Sequence, residues 1–316
     1  MNIAALLSII LTLFCLMATG FLCRKLGVIT NESSKGLSKL ILWVGQPMLI
    51  LTALEKVEYS AENLTVGWQV TLIGFVMHFL LCIFAFLICK VLKGSPDQAK
   101  IFEFSLVFAN CGFIGFPILD SILGDGLGSF MGAFFVISFH FYIWIWGIMI
   151  LGRGRDDIRM TVKKALVNFG TIPCLIGIAI YLLKPLFELP EFLSKVFAYL
   201  GGLCTPVSVL VTGALIATMP LSKMFSNKKL YLHSAIKLIA LPIVICLLAK
   251  LLGLSNTYIL LVTAMAGMPS AATVTMLGEL YDIDPAYASQ TVGMTSILST
   301  ATLPIVMLFA QWIITL

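Results

Sequence analysis

Apolar runs of about 20 residues recur along the whole of this 316-residue chain, each long enough to cross ~30 Å of hydrocarbon. Inside a bilayer no water satisfies the backbone, so spanning segments must be helices or closed barrels, and runs of this length mean helices. The runs fall at about 3–22, 37–54, 66–89, 99–123, 127–151, 162–183, 195–218, 230–252, 256–278 and 287–314. No connection between them is long enough for a soluble domain. Only 11% of residues are charged, against about a quarter in soluble domains, and mean hydropathy is +1.05. The fold class expected is an all-α membrane protein of ten transmembrane helices, multi-pass in the cell membrane.

The net charge of +5 does not point to nucleic acid, because the basic residues sit in short loops between spans. Arg24, Lys25, Lys35 and Lys39 follow span one; Lys90, Lys93 and Lys100 follow span three. Arg153, Arg155, Arg159, Lys163 and Lys164 follow span five, and Lys223, Lys228 and Lys229 follow span seven. The alternate loops hold little net positive charge, so the positive-inside rule places both termini outside. The loop after span nine, with Glu279, Asp282 and Asp284, is internal in this scheme; acidic residues count little in that rule. The first run lacks a preceding basic residue and is followed by Arg24 and Lys25, the reverse of a signal peptide, so it is kept as a span. Eight cysteines show no zinc or disulfide spacing and read as small core hydrophobes.

Span four is interrupted. Asn110-Cys111-Gly112-Phe113-Ile114-Gly115-Phe116-Pro117 puts a proline, two glycines and an amide in the middle of an apolar run. Proline removes a backbone donor and clashes with the preceding turn, glycine loosens it, and hydrocarbon cannot satisfy the amide. Such backbone is tolerated at membrane depth only where protein buries it or water reaches it. Span nine carries Gly267-Met268-Pro269, 152 residues beyond Gly115-Phe116-Pro117. Gln46-Pro47 in span two and Thr205-Pro206 in span seven are 159 apart, as are His78 in span three and Lys237 in span eight. These features keep their order, so the chain reads as two halves, 1–151 and 162–316, joined by a short cytoplasmic linker at 152–161. Five spans is an odd number, so the second half runs inverted. Paired broken helices in inverted repeats point to a transporter whose site lies at the midplane.

Half-helix N-termini present free N–H groups and partial positive charge, which suits an anion such as a carboxylate. The substrate-binding set expected is Asn110, Gly115, Pro117, Gln46, Pro269, Ser270 and Thr273. The hydroxyls of Ser270, Thr273 and Thr275 either face substrate or a cation or, as is usual for membrane Ser and Thr, bond back to their own helix. Gln46 and Thr205 either face the same cavity or cap their own kinks. Intramembrane ionisable groups are candidates for proton or ion coupling: His78, His140, Glu103 and Asp120. Lys237, about one turn into span eight, is expected to snorkel to the cytoplasmic face, and Trp144 and Trp146 to anchor span five at an interface. No metal site and no cofactor is expected. An enzyme is disfavoured by the lack of a His-Glu-x-x-His or Asp-rich motif, and no nucleotide-binding motif is present. The partners expected are a small organic anion and membrane lipid, without nucleic acid; a homodimer is admissible, the sequence leaving the oligomeric state open.

On Asn110…Gly115-Phe116-Pro117, Met268-Pro269 with its small polar neighbours, and the closing segment Ala288 to Pro304, the chain resembles the auxin efflux carrier family, which includes malate and malonate permeases. The resemblance covers essentially the whole length. It implies ten helices in two inverted five-helix repeats, with helices four and nine broken and crossing at Pro117 and Pro269. It further implies a scaffold of helices 1, 2, 6 and 7 and a moving transport domain of helices 3–5 and 8–10. The substrate amide falls on Asn110, faced by Gln46. The positions before Pro269, Thr263 to Met268, lack the second asparagine of some relatives. Bile-acid–sodium symporters resemble the chain more distantly. The function expected is secondary transport of small organic anions, by an elevator or rocking motion, with sodium-coupled symport as the alternative.

Overall fold

The computed structural model describes residues 3–91, 95–124, 126–155 and 171–316. Lys93, Asp125, Arg159, Lys163, Lys164, most of the expected linker and the start of the sixth expected span lie outside the described residues. Among those described, the chain is helical apart from one isolated antiparallel bridge.

The elements, in chain order, begin with α1 (Ile3–Lys25). α2 (Asn31–Leu40) runs through a π-helical turn, Ile41–Gly45, into α3 (Gln46–Glu55). α4 spans Ala61–Val91. α5 (Pro96–Val107) and α6 (Gly115–Leu123) are two halves of one interrupted span. α7 (Leu127–Tyr142), a second π turn (Ile143–Gly147) and α8 (Ile148–Leu151) form one rod. The second half holds α9 (Thr171–Leu183), then α10 (Glu191–Gly202) leading at Leu203 into α11 (Cys204–Thr218). A short α12 (Leu221–Ser226) precedes α13 (Lys228–Ala235), a third π turn (Ile236–Ala240) and α14 (Leu241–Leu251). α15 (Asn256–Gly267) and α16 (Thr273–Leu280) are again two halves of an interrupted span, and α17 (Pro285–Thr315) closes the chain. Seven continuous helical rods are long and apolar enough to cross a membrane among the described residues. α9 and α15 are shorter apolar helices.

Local sequence explains these boundaries. Arg24 and Lys25 end α1, where cations favour the negative end of the helix dipole. Thr30 and Ser33 form a reciprocal capping box at the start of α2. Ser95 caps α5, with Pro96 in the first turn where its missing N–H costs nothing. Asp284, in the left-handed region at φ 34°, accepts from Tyr287 N–H to start α17 and from Gln98 Nε2 at 3.1 Å. Part of the acidic loop that sat oddly with the charge pattern is therefore a helix cap tied to the start of α5.

Packing follows the stripes. On α1, Leu6, Ile10, Leu13, Met17 and Gly20 recur at helical spacing and are buried, while Leu7, Leu11, Phe14 and Leu22 stay exposed. That exposed apolar face is what lipid covers. Gly20 and Gly213 let α1 and α11 approach backbone to backbone: a Cβ on Gly20 would strike Leu210 O, and one on Gly213 would strike Met17 O. α4 packs on α7, where Gly67 receives the Phe134 ring and Gly74 the Ser138 side chain. Phe104, Phe108, Phe116, Phe130, Phe134 and Phe135 fill the middle of the first half. The cysteines are unpaired among the described residues; Cys82, Cys111, Cys174, Cys204 and Cys246 are buried, and Cys15 is exposed.

Candidate functional site

The two interruptions meet. Residues 108–114 and 268–272 leave the helix, and their backbones pair antiparallel through Ala109 and Ser270. Asn110 N–H donates to Pro269 O at 2.8 Å and Ala271 N–H donates to Phe108 O at 2.9 Å. Each break thus satisfies groups the other exposes, which lets non-helical backbone sit among buried residues. Pro117 is not the crossing point. It is the third residue of α6, in the first turn, where an absent N–H goes unmissed. The pairing Asn110 with Pro269 is separated by 159 residues, the offset that also relates Gln46 to Thr205 and His78 to Lys237. The 152-residue offset between Gly-Phe-Pro and Gly-Met-Pro therefore misregisters the two breaks.

The first break is held from several sides. Asn110 Oδ1 accepts from Phe113 N–H at 3.3 Å and Asn110 O from Gly115 N–H at 3.2 Å. Thr205 Oγ1 donates to Phe113 O at 2.8 Å, so Thr205 reaches across to the break rather than capping its own kink. The Phe113 ring packs against Ile41 and Cys204. At the second break, Ser270 N–H donates to Thr295 Oγ1 and Ser270 Oγ to Ser105 O, both at 3.2 Å. Ser105 Oγ lies 2.7 Å from His233 Nε2.

A cavity of about 100 Å³ opens beside the crossing, lined among others by Gln46, Asn110, Gly112, His140, Trp144 and Thr273. Gln46 Nε2 lies 3.2 Å from His140 Nε2. With the amide donating, the imidazole accepts there and carries its proton on Nδ1. The Oδ1 of Asn110 is engaged by Phe113, which leaves the Nδ2 donors to the cavity. Thr273 begins α16, and its buried hydroxyl has no partner. Contrary to the expected back-bonding, neither Thr273 nor Thr275 bonds to its own helix. The lining holds a few hydrogen-bond donors and the N-terminus of α16 and, among the described residues, no carboxylate. That polarity favours an anion.

Of the expected substrate set, the cavity brings together Gln46, Asn110 and Thr273, with His140 from the coupling set. Pro269 and Ser270 build the crossing, Gly115 and Pro117 belong to the first turn of α6 beyond it, and none of the four lines the cavity. His78 lies buried between α4 and α7, with Nδ1 2.8 Å from Gly74 O and 3.2 Å from Ser138 Oγ. Glu103 is 1% exposed and accepts both arms of the Arg153 guanidinium, at 2.5 and 2.7 Å. Asp120 accepts from Ser129 N–H at 2.6 Å and Ser129 Oγ at 2.5 Å, fastening α6 to the start of α7.

Two expectations need correction. Lys237 does not snorkel. It is fully buried in the third π turn and donates to Leu106 O at 2.9 Å, in the last turn of α5. Trp144 is no interfacial anchor but a wall of the cavity, and Trp146 buries its Nε1 without a partner. What these residues share is structural and carries no sequence signal: all three π turns hold residues at or beside the crossing, Leu42, Trp144 and Lys237. Among the described residues, no group of three His, Cys, Asp or Glu could hold a metal ion.

A bundle of apolar rods with two short half-helix pairs, meeting beside a small, mostly apolar cavity with a few polar side chains, defines a multi-pass membrane protein built around a buried crossing. The family model described as membrane transport protein matches residues 5–307, and the chain belongs to that family, the auxin efflux carriers. An uncharacterized transporter of Methanocaldococcus jannaschii is 23% identical over 305 residues, covering 93% of this chain and 95% of that one. One of Methanothermobacter thermautotrophicus is 22% identical over 299 residues, covering 94% and 95%. The "Putative malonate transporter" of Rhizobium meliloti is 22% identical over 310 residues, covering 95% and 94%. The protein is therefore a transmembrane transporter of this family.

Proposed function

We propose that the protein is a secondary carrier of small carboxylates and that Asn110, Gln46, His140 and Thr273 hold the substrate at the crossing. The observation that carries this reading is a small, mostly apolar cavity beside two mutually paired helix breaks, with Gln46, Asn110, His140 and Thr273 as its few polar side chains and, among the described residues, no carboxylate. The Asn110 amide and the α16 N-terminus would meet the carboxylate, while Gln46 approaches from α3. Malonate, named for the Rhizobium relative, is a natural candidate.

Packing supports a two-body mechanism. α1, α3, α9, α10 and α11 pack on one another, and in this reading they form the scaffold expected of helices 1, 2, 6 and 7. The elements α4 to α8 pack closely on one another, as do α13 to α17; α5 with α17 and α6 with α15 join these two sets, and α1 with α6 and α11 with α17 join them to the first group. In this reading the two halves are inverted repeats, ten spans in all, and substrate moves with the second group against the first. Both termini then lie outside.

Purified protein in proteoliposomes, given labelled malate, malonate and indole-acetate with and without sodium, tests this directly. Accumulation of at least one carboxylate is expected, reduced at least about tenfold by Asn110→Ala, since one lost charge-assisted hydrogen bond is worth ~1.5–3 kcal/mol. Sodium dependence would identify the symport variant. No carboxylate uptake, together with an inert Asn110→Ala, would sink the proposal.

A further inference from the structure

A second, larger cavity of about 480 Å³ adjoins the first. The two share Leu42, Phe113, Ala272 and Met276 in their walls, so they lie in series. The larger one opens among the basic residues of α1 and α2: Arg24, Lys35 and Lys39 line it, and among the described residues no carboxylate does. Arg24 is fixed in place, with Nη1 3.0 Å from Ile29 O and Nη2 2.5 Å from Asn31 Oδ1. Lys35 and Lys39 occur in no ion pair among the described residues. At the deep end, Thr275 is 5% exposed, lines the cavity and has no partner for its hydroxyl. A buried hydroxyl left unpaired costs free energy unless a ligand or water supplies the bond. Three cations at the mouth and an unpartnered hydroxyl on the floor are thus an arrangement complementary to an anion.

We infer that this vestibule is a second anion site, in series with the crossing, that gathers doubly charged carboxylates through Arg24, Lys35 and Lys39 and hands them inward past Thr275. Coulomb attraction scales with ligand charge, so at one site a dianion gains twice what a monoanion gains. Screening reduces both as salt rises, over ~8–10 Å at physiological ionic strength. The vestibule therefore supplies selection by charge, while the crossing, lined by no lysine or arginine among the described residues, supplies shape and hydrogen bonding. This inference rests on the carrier reading for its transport consequence, but not for its binding consequence.

The experiment compares malonate, a dianion at neutral pH, with its nearly isosteric monomethyl ester, a monoanion. Wild type, Asn110→Ala, Lys35→Gln/Lys39→Gln and Thr275→Val are compared as full-length protein. Equilibrium binding of labelled malonate in detergent is measured at low and high potassium chloride, and initial flux in proteoliposomes. The lysine pair lies on the exposed side of α2, and a monodisperse gel-filtration profile confirms folding of each variant. Removing the two lysines is expected to raise the malonate KM about fivefold and the monoester KM about twofold, and to flatten the salt dependence. Asn110→Ala keeps a weak, salt-sensitive malonate binding that the lysine pair abolishes. Equal effects on both ligands, or loss of all binding in Asn110→Ala, would overturn the vestibule site. Persistent salt-sensitive binding with no flux in the wild type would instead overturn the carrier reading alone.

Discussion

Lys237 is the residue whose environment departs furthest from what its chemistry prefers. Its ammonium is fully buried and donates to a backbone carbonyl, Leu106 O, at 2.9 Å. That carbonyl belongs to the C-terminal turn of α5, the negative end of its dipole, one turn before the break. A cation there offsets the partial charge that the interruption leaves exposed. Burying it without a carboxylate is costly, so stability alone does not explain its presence. Lys237→Met keeps the volume, removes the charge and leaves Leu106 O unmet, at a cost of about 1–3 kcal/mol offset by the removed burial penalty. The expected outcome is a melting temperature close to wild type with carboxylate flux reduced at least about tenfold, in line with the loss of one charged contact. Thermal unfolding and proteoliposome flux measured on one preparation check this, and full flux in the variant would make Lys237 merely structural. From sequence, the lysine's position near the start of its span suggested a snorkelling side chain. Distance along the helix was legible; the neighbour that covers it, α5, was not. Asn110 was legible because an amide in an apolar run has few reasons to exist except to face something polar.

At the scale of elements, small residues decide which helices can touch. Gly213 has no room for a Cβ, because Met17 O of α1 occupies that space. Gly36, on α2, has nothing within 4 Å of where its Cβ would be. The same substitution should therefore have opposite signs. Gly213→Ala forces α1 and α11 apart and is expected to destabilise by about 1–3 kcal/mol, as overpacking does. Gly36→Ala adds helix propensity at an exposed site and is expected to stabilise by ~0.5–1 kcal/mol. Unfolding of the two variants in one detergent reads the contrast, and a stabilising Gly213→Ala would contradict the close packing. Hydropathy located the long described rods to within several residues, because lipid imposes length and apolarity on each one, but it did not give the short α12, and the start of the sixth expected span lies outside the described residues. It located both breaks, since proline and glycine clusters act locally. It could not register one break against the other. The Gly-x-Pro resemblance drew Pro117 to Pro269, whereas backbone hydrogen bonds join Asn110 to Pro269. Nor are π turns visible in composition: Ile41–Gly45, Ile143–Gly147 and Ile236–Ala240 read as ordinary helix.

For the whole molecule, the question is whether two groups of helices move past one another. Their boundary passes between α11 and α17, where the Cβ position of Gly293 lies 3.2 Å from Ile216 Cγ1. Cysteines at 216 and 293 would therefore sit within reach of a disulfide, which needs Cβ atoms ~3.5–4.5 Å apart. Neither native residue lines the crossing cavity, so locking them leaves the binding groups in place. If substrate is carried by displacement of one group against the other, Ile216→Cys/Gly293→Cys loses flux on oxidation and recovers it with dithiothreitol, while malonate binding survives throughout. The wild type, oxidised in parallel, controls for its own thiols, of which only Cys15 is exposed. A rocking motion and an elevator both shear this boundary, and a fixed pore does not. Undiminished flux in a fully cross-linked sample would therefore rule out either motion and leave the crossing as a static constriction between two compartments.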